Sequence, residues 1–229
     1  MTRHKDREYT QALYDSVKQM TVGEWLPWER VTAVNHSLAL ILETGSQRER
    51  ELRKMKKFRF QLLHRWLVAH FAPCRAADIA GGKGLLALLL QESGWETAVI
   101  DPIHQTLPDK YKDIGSNQRV KVAATTQVRH WNKPFAAAMG DSFDLLIGMH
   151  AHGCNIAIVE AAAAFGCGFV LFPCCVIDEP FYPPIGVDWL ECVAEYAVGK
   201  GIAVTPFRLN FKGQNIGLYG AGQRLRRLG

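Results

Sequence analysis

The spacing of apolar and polar positions divides the chain into two textures. Tyr9, Leu13, Val17 and Met20 recur at three- to four-residue steps, which predicts a helix over residues 5–20. "PWERVTAVNHSLALILET" predicts a second helix, with Pro27 suited to its first turn. Ser46 followed by Glu49 reads as a capping box opening a third. In that helix Leu52, Met55, Leu62, Leu63, Trp66, Leu67 and His70 recur at helical spacing, and it should stop before Pro73. From residue 75 onward short strand patterns alternate with helical ones. "RAADIA", "ETAVID", "RVKVAAT", "FDLLIGM" and "GFVLFP" predict strands, the third of them preceded by the turn "DIGSN". "GLLALLLQES", "NIAIVEAAAAF" and "VDWLECVAEYAVGK" predict helices. "IAVTPFRL" and "NIGLYG" lie too close together for a helical crossover, so they predict an antiparallel hairpin. The expected fold class is α/β with a mostly parallel sheet. Residues 1–45 are expected as a helical N-terminal extension and 46–229 as the domain.

Composition narrows the class of protein. With 229 residues and 48% hydrophobic content, the chain can bury one sizeable core. No apolar stretch approaches the roughly 20 residues that span a bilayer, so no membrane partner is expected. The N-terminal "MTRHKDREYTQ" lacks an apolar signal core, and Asp6, Glu8 and Asp15 are unlike an acid-poor transit peptide. Six cysteines (Cys74, Cys154, Cys167, Cys174, Cys175 and Cys192) match no disulfide framework. The expected setting is therefore a soluble, reducing intracellular compartment, cytoplasm before mitochondrial matrix. With no C-x-x-C and no paired histidines, no metal is expected. The alternative weighed is zinc on Cys154, Cys174, Cys175 and a histidine.

Net charge is +5, and it is local. Residues 46–66 carry eight Lys/Arg against Glu49 and Glu51, a net of +6. Phe58, Phe60 and Trp66 are interleaved with them, a pattern suited to a polyanion. Arg53, Lys54, Lys56, Lys57 and Arg59 are the candidate RNA-binding residues, and the tail adds Arg224, Arg226 and Arg227.

"DIAGGKG", residues 78–84, joins a strand to a helix start, where backbone N–H groups and the positive helix end meet a ligand. A P-loop would need Ser or Thr after its lysine, but Lys83 precedes Gly84. A dinucleotide fingerprint needs a different glycine spacing. The pattern D-x-G-x-G-x-G fits Asp78 through Gly84, with Ala80 in the first glycine slot. Asp101 closes the next strand, where a carboxylate can accept both hydroxyls of a ribose.

On these residues the chain, over roughly 55–220, resembles the class I S-adenosylmethionine-dependent methyltransferases. That resemblance implies a Rossmann-like seven-stranded sheet, mostly parallel, with an antiparallel C-terminal hairpin. "GMHAHG" after the fourth strand and "FPCC" after the fifth resemble one branch, which includes the tRNA acceptor-stem ribose 2′-O-methyltransferase and related methyltransferase-like proteins. That branch pairs a basic "KK" segment with an H-x-C-G-like and a P-C-C motif. Here these are Lys56-Lys57, His150-Ala151-His152-Gly153 and Pro173-Cys174-Cys175, with His152 where cysteine is usual. The resemblance implies S-adenosylmethionine as cofactor. Asp78, Ala80, Gly81, Gly82 and Gly84 would meet its methionine end, and Asp101 with Pro102 its ribose. Ala124 and Thr125 would flank the adenine, and Gly148 and Met149 would line the pocket floor.

Candidate catalytic residues sit at strand ends. His150 and His152 can take a proton from a hydroxyl or nitrogen nucleophile. Cys174 or Cys175 could attack a pyrimidine ring, but the acid that such chemistry needs after the fourth strand is missing. The [DN]-P-P-[FY] motif of amino-group methylases is absent too. The expected function is methyl transfer to RNA or a ribonucleoprotein. The alternatives are a protein or small-molecule methyltransferase, and a non-catalytic assembly factor on the same fold.

Overall fold

A computed structural model describes residues 23–31 and 57–228. The helix expected over 5–20, the second helix beyond residue 31, and the Ser46–Glu49 capping box lie outside the described residues.

In chain order the elements are β1 (Glu24–Trp25), α1 (Arg59–His70), β2 (Arg75–Ile79), α2 (Leu85–Glu92), β3 (Glu96–Ile100), β4 (Lys110–Lys112), β5 (Arg119–Lys121) and β6 (Arg129–Trp131). A 3-10 turn over Ala137–Ser142 then leads to β7 (Leu145–Met149), α3 (Asn155–Phe165), β8 (Gly168–Phe172), α4 (Trp189–Gly199), β9 (Val204–Arg208) and β10 (Ile216–Gly220). Among the described residues eight strands form one sheet, in the order β1-β9-β10-β8-β7-β2-β3-β6. The pairs β2–β3, β2–β7, β3–β6 and β7–β8 are parallel. β10 runs antiparallel to both β8 and β9, so the last strand is reversed and inserted between its predecessors. The fold is Rossmann-like, with the expected seven strands extended by β1, which pairs antiparallel with β9.

Alternation along the strands explains the two-sided core. Ala77, Ile79, Leu146, Phe169 and Leu171 face one cluster with residues of α3 and α4. Ala76, Leu145, Ile147, Val170 and Phe172 face the other, with Leu63, Trp66 and Leu67 of α1 and Leu86 and Leu90 of α2. Trp66 is fully buried, stacks on Phe207 with ring centroids 3.9 Å apart, and meets Trp25 edge-on at 5.2 Å. α1 stops at His70, as Pro73 requires, and the Phe71 N–H caps back onto Leu67 O.

One strand departs from expectation. "RVKVAAT" does not supply the third parallel strand. Its first three residues pair antiparallel with β4 in a separate two-stranded ribbon, and the third parallel strand is β6, "RHW". β6 is a sheet edge bonded only to β3, so it needs no continuous apolar run, which is why periodicity passes over it. Gln61 of α1 ties the ribbon down: its amide donates to Lys112 O (2.7 Å) and its carbonyl accepts from Ile114 N–H (2.7 Å).

Candidate functional site

The turn between β2 and α2 is built from left-handed residues. Ala80 (φ 54°), Gly82 (φ 55°) and Gly84 (φ 73°) all adopt the conformation that glycine reaches without strain. Ala80 does so with a side chain and stands exposed; Lys83 is exposed at the outer edge of the turn. Gly81 is needed for close approach, since a Cβ there would lie 2.5 Å from Asp78 Cγ and Oδ2. Asp78 is buried, and its Oδ2 has no hydrogen-bond partner. Desolvation pushes its carboxyl up to about 7, against the opposing pull of the Ala87 N–H, and nearby Asp101 adds to the rise. An unpartnered buried acid under a glycine turn is a costly arrangement that a cationic ligand would relieve.

Asp101 lies at the end of β3, buried, next to exposed Pro102. Its Oδ2 accepts from Gly82 N–H (3.0 Å) and its Oδ1 from Ile103 N–H (2.9 Å). Each oxygen keeps a lone pair for a further donor. A cleft of about 770 Å³ opens beside it, lined by His104, Gln105, Leu107, Val122, His130 and Asn132 among others. The volume suits a nucleoside-sized ligand. The cleft adjoins the glycine turn: Gln105 Nε2 lies 3.5 Å from where a Gly82 Cβ would be, and His130 Nε2 3.6 Å from a Gly84 Cβ. Burial lowers the His130 pKa, as does neighbouring His104, while Asp101 opposes them. The rings of His104 and His130 meet edge-on at 4.9 Å. His104 and Gln105 follow the acid that ends β3 with no motif to mark them, and His130 lies within β6, a strand too short for periodicity to find, so none of the three was legible as a site residue. Thr125 is exposed and precedes β6, between cleft-lining Ala124 and Thr126, while Asn132 lines the cleft from the end of β6.

The ends of β7 and β8 carry the other candidates. Gly148 is small for packing: a Cβ there would lie 2.8 Å from Leu171 and 3.0 Å from Ile158. Met149 is buried in the core. His150 turns the chain with φ 61°, its ring edge-on to Phe211 at 6.2 Å. His152 is exposed and meets both adjacent cysteines: Nδ1 lies 2.9 Å from Cys175 Sγ and Nε2 3.8 Å from Cys174 Sγ. Desolvation pushes the Cys174 thiol up to about 11, helped by hydrogen bonding to Cys175, so it is protonated near neutrality and no ready nucleophile. Cys154 is apart from this group. Burial and the nearby charge of Glu179 push it up to about 11 as well.

Of the candidate polyanion contacts, Arg53, Lys54 and Lys56 lie outside the described residues. Lys57 sits over the Phe58 ring at 5.1 Å, and Arg59 over Phe60 at 4.4 Å. The ribbon adds cations that charge counting along 46–66 missed. Lys110 faces Lys121, and Lys112 faces Arg119, on the same side of the two strands.

Fold and site together define a Rossmann-like α/β domain with a reversed last strand, a glycine turn after the first parallel strand, and an acid ending the second. The residues present fit S-adenosylmethionine, because orphaned Asp78 answers a cationic group and Asp101 a ribose. Solved structures of similar shape include an O-methyltransferase family protein from Burkholderia thailandensis, at 12% identity and TM-score 0.39 over 85% of this chain. Another is a point mutant of MtNAS, at 12% identity and TM-score 0.35, covering 94% of this chain and 70% of that one. The chain spans 59% of the length of the Burkholderia protein. No protein-family model and no curated protein sequence matches the chain. Among the described residues no helix is long and apolar enough to cross a membrane.

Proposed function

We propose that the protein is an S-adenosylmethionine-dependent methyltransferase acting on RNA or a ribonucleoprotein. The observation that carries the cofactor is Asp78: a buried carboxylate with an unpartnered oxygen, directly under a glycine turn and beside the acid that ends the next strand. When bound, the cofactor supplies a sulfonium-activated methyl group. Asp78 would answer the positive charge of its amino-acid end, Asp101 would accept from the ribose hydroxyls, and the cleft between Gln105 and His130 would receive the base. His150, at the end of β7, is the imidazole we assign to take the proton of the acceptor.

Support for RNA comes from the ribbon. Like charges directly opposite on an antiparallel pair are destabilising, and two such pairs stand on one face. A polyanion turns that repulsion into attraction. Through Gln61 the ribbon is tied to α1, which carries Arg59 and Arg65.

A second reading, a non-catalytic platform, draws on two observations. Both Asp101 oxygens already accept backbone N–H groups, and Ala80 holds a left-handed position with a side chain. Calorimetry with S-adenosylmethionine and S-adenosylhomocysteine separates the two. The enzyme reading expects one site, weakened at least tenfold by Asp101→Ala, which is about 1.4 kcal/mol. No binding by the wild-type chain removes catalysis and leaves the platform. Where binding holds, tritiated methyl transfer to total RNA, and not to a protein lysate, is the expected result.

A further inference from the structure

β7 and β8 are parallel neighbours in register, with Met149 opposite Phe172, so the loops that follow them leave the sheet side by side. The first carries His152; the second carries Cys174 and Cys175. Their donor atoms all lie within 4.8 Å of one another. The two sulfurs are 3.8 Å apart. With metal–sulfur bonds of ~2.3 Å, the sulfur–sulfur edge of a tetrahedral site is roughly 3.8 Å. The sulfur pair therefore already spans such an edge, and rotation of an exposed imidazole brings one nitrogen to the same centre.

The loops are also pinned to each other away from the donors. Glu179, on the β8 loop, accepts from the N–H groups of Asn155 (2.8 Å) and Ile156 (3.1 Å) and from the Asn155 side-chain amide, capping α3. Gly153 lies so close to Asp178 that a Cβ would meet that residue's Cβ at 2.9 Å. The donors thus hang from two rigid strand ends and a shared clamp, the preorganisation that a coordination site needs.

We propose that His152, Cys174 and Cys175 form a three-ligand site for Zn²⁺, with its fourth position open. Two sulfurs and an imidazole select a thiophilic ion over hard oxygen-seeking ones, and three protein ligands with one vacancy is the arrangement of zinc sites that bind water or substrate. On binding, both thiols lose their protons and the ion is held by two thiolates and one neutral imidazole. His152 is then a ligand, which leaves His150 as the imidazole available for proton transfer. The site does not depend on the cofactor reading, and its test uses no S-adenosylmethionine.

The full chain, reduced and stripped with chelator, is titrated with Co²⁺ as a spectroscopic probe. The expected result is one equivalent bound, with thiolate-to-cobalt charge-transfer absorption and intense tetrahedral visible bands, all bleached by Zn²⁺. Cys174→Ser with Cys175→Ser removes the charge-transfer band, and His152→Ala weakens binding at least tenfold. Absence of that band in the wild type, or its persistence in the double variant, overturns the proposal. A second measurement needs no variant: Zn²⁺ should protect Cys174 and Cys175, but not Cys154, from iodoacetamide in peptide mapping. Equal labelling of the pair with and without the metal is the contrary result.

Discussion

Asp78 concentrates the residue-scale argument. Its carboxyl is raised to about 7 by burial, whereas an unfolded aspartate titrates near ~3.9. Between those values the native state holds a proton that the unfolded chain has released. Stability conferred by the neutral acid is therefore full below about pH 4, declines as pH rises toward 7, and is flat above. Asp78→Asn should abolish that decline and stabilise the apo protein above pH 7 by an amount on the order of a few kcal/mol. The check is a set of urea unfolding curves from pH 4.5 to 8; parallel pH profiles for wild type and variant would contradict it. The same substitution should weaken S-adenosylmethionine at least tenfold, because the amide cannot ionise against the ligand's charge. A residue that stabilises when removed yet is required for binding marks a site rather than a scaffold position.

At the scale of elements, the ribbon divides structure from binding. Lys110→Glu exchanges a cross-strand repulsion with Lys121 for an attraction, worth a few tenths of a kcal/mol to about 1 kcal/mol of ribbon stability. It should nevertheless weaken RNA. Paired with Arg119→Glu, it should lower the slope of log affinity against log salt by roughly 0.7 for each single-strand phosphate that the ribbon no longer neutralises. Filter binding of total RNA across a salt series measures this, and an unchanged slope would remove the ribbon from the interface. The ribbon also marks where the sequence misleads. "RVKV" alternates as a strand should, and it is a strand, but it pairs locally with "KYK" rather than entering the sheet. β6, at three residues with Trp131 as its one apolar position, carries too little pattern to be found. By contrast β7, β8 and α3 were legible almost to the residue, because strands buried on both faces and an alanine-rich helix leave continuous apolar runs. The glycine turn and its two acids were legible for a similar reason: they depend on near neighbours in the chain. The contact of His152 with Cys174 and Cys175 spans more than twenty residues and is set by the register of two parallel strands, so neither loop alone announces it.

The whole molecule couples α1 to its core through one side chain. Trp66 follows Arg65 on α1, yet it is fully buried and gathers Trp25 from β1, Phe207 from β9, Tyr219 from β10 and Phe71 at the helix end. Pairing of β1 with β9 brings a segment N-terminal to the helix into the same cluster. Truncating Trp66→Ala should cost about 3–5 kcal/mol, a large share of the ~5–15 kcal/mol that holds a domain together. Trp66→Phe should cost well under half as much. The smaller ring keeps the stack on Phe207, and it removes an indole N–H that is buried without a partner. Chemical unfolding of the two variants reads this directly. If α1 were only a surface-bound basic element, both substitutions would shift the midpoint little, and unfolding would proceed in two phases with the helix leaving first. A single cooperative transition, moved far by alanine and modestly by phenylalanine, is expected instead. The helix is then inseparable from the sheet that carries the site.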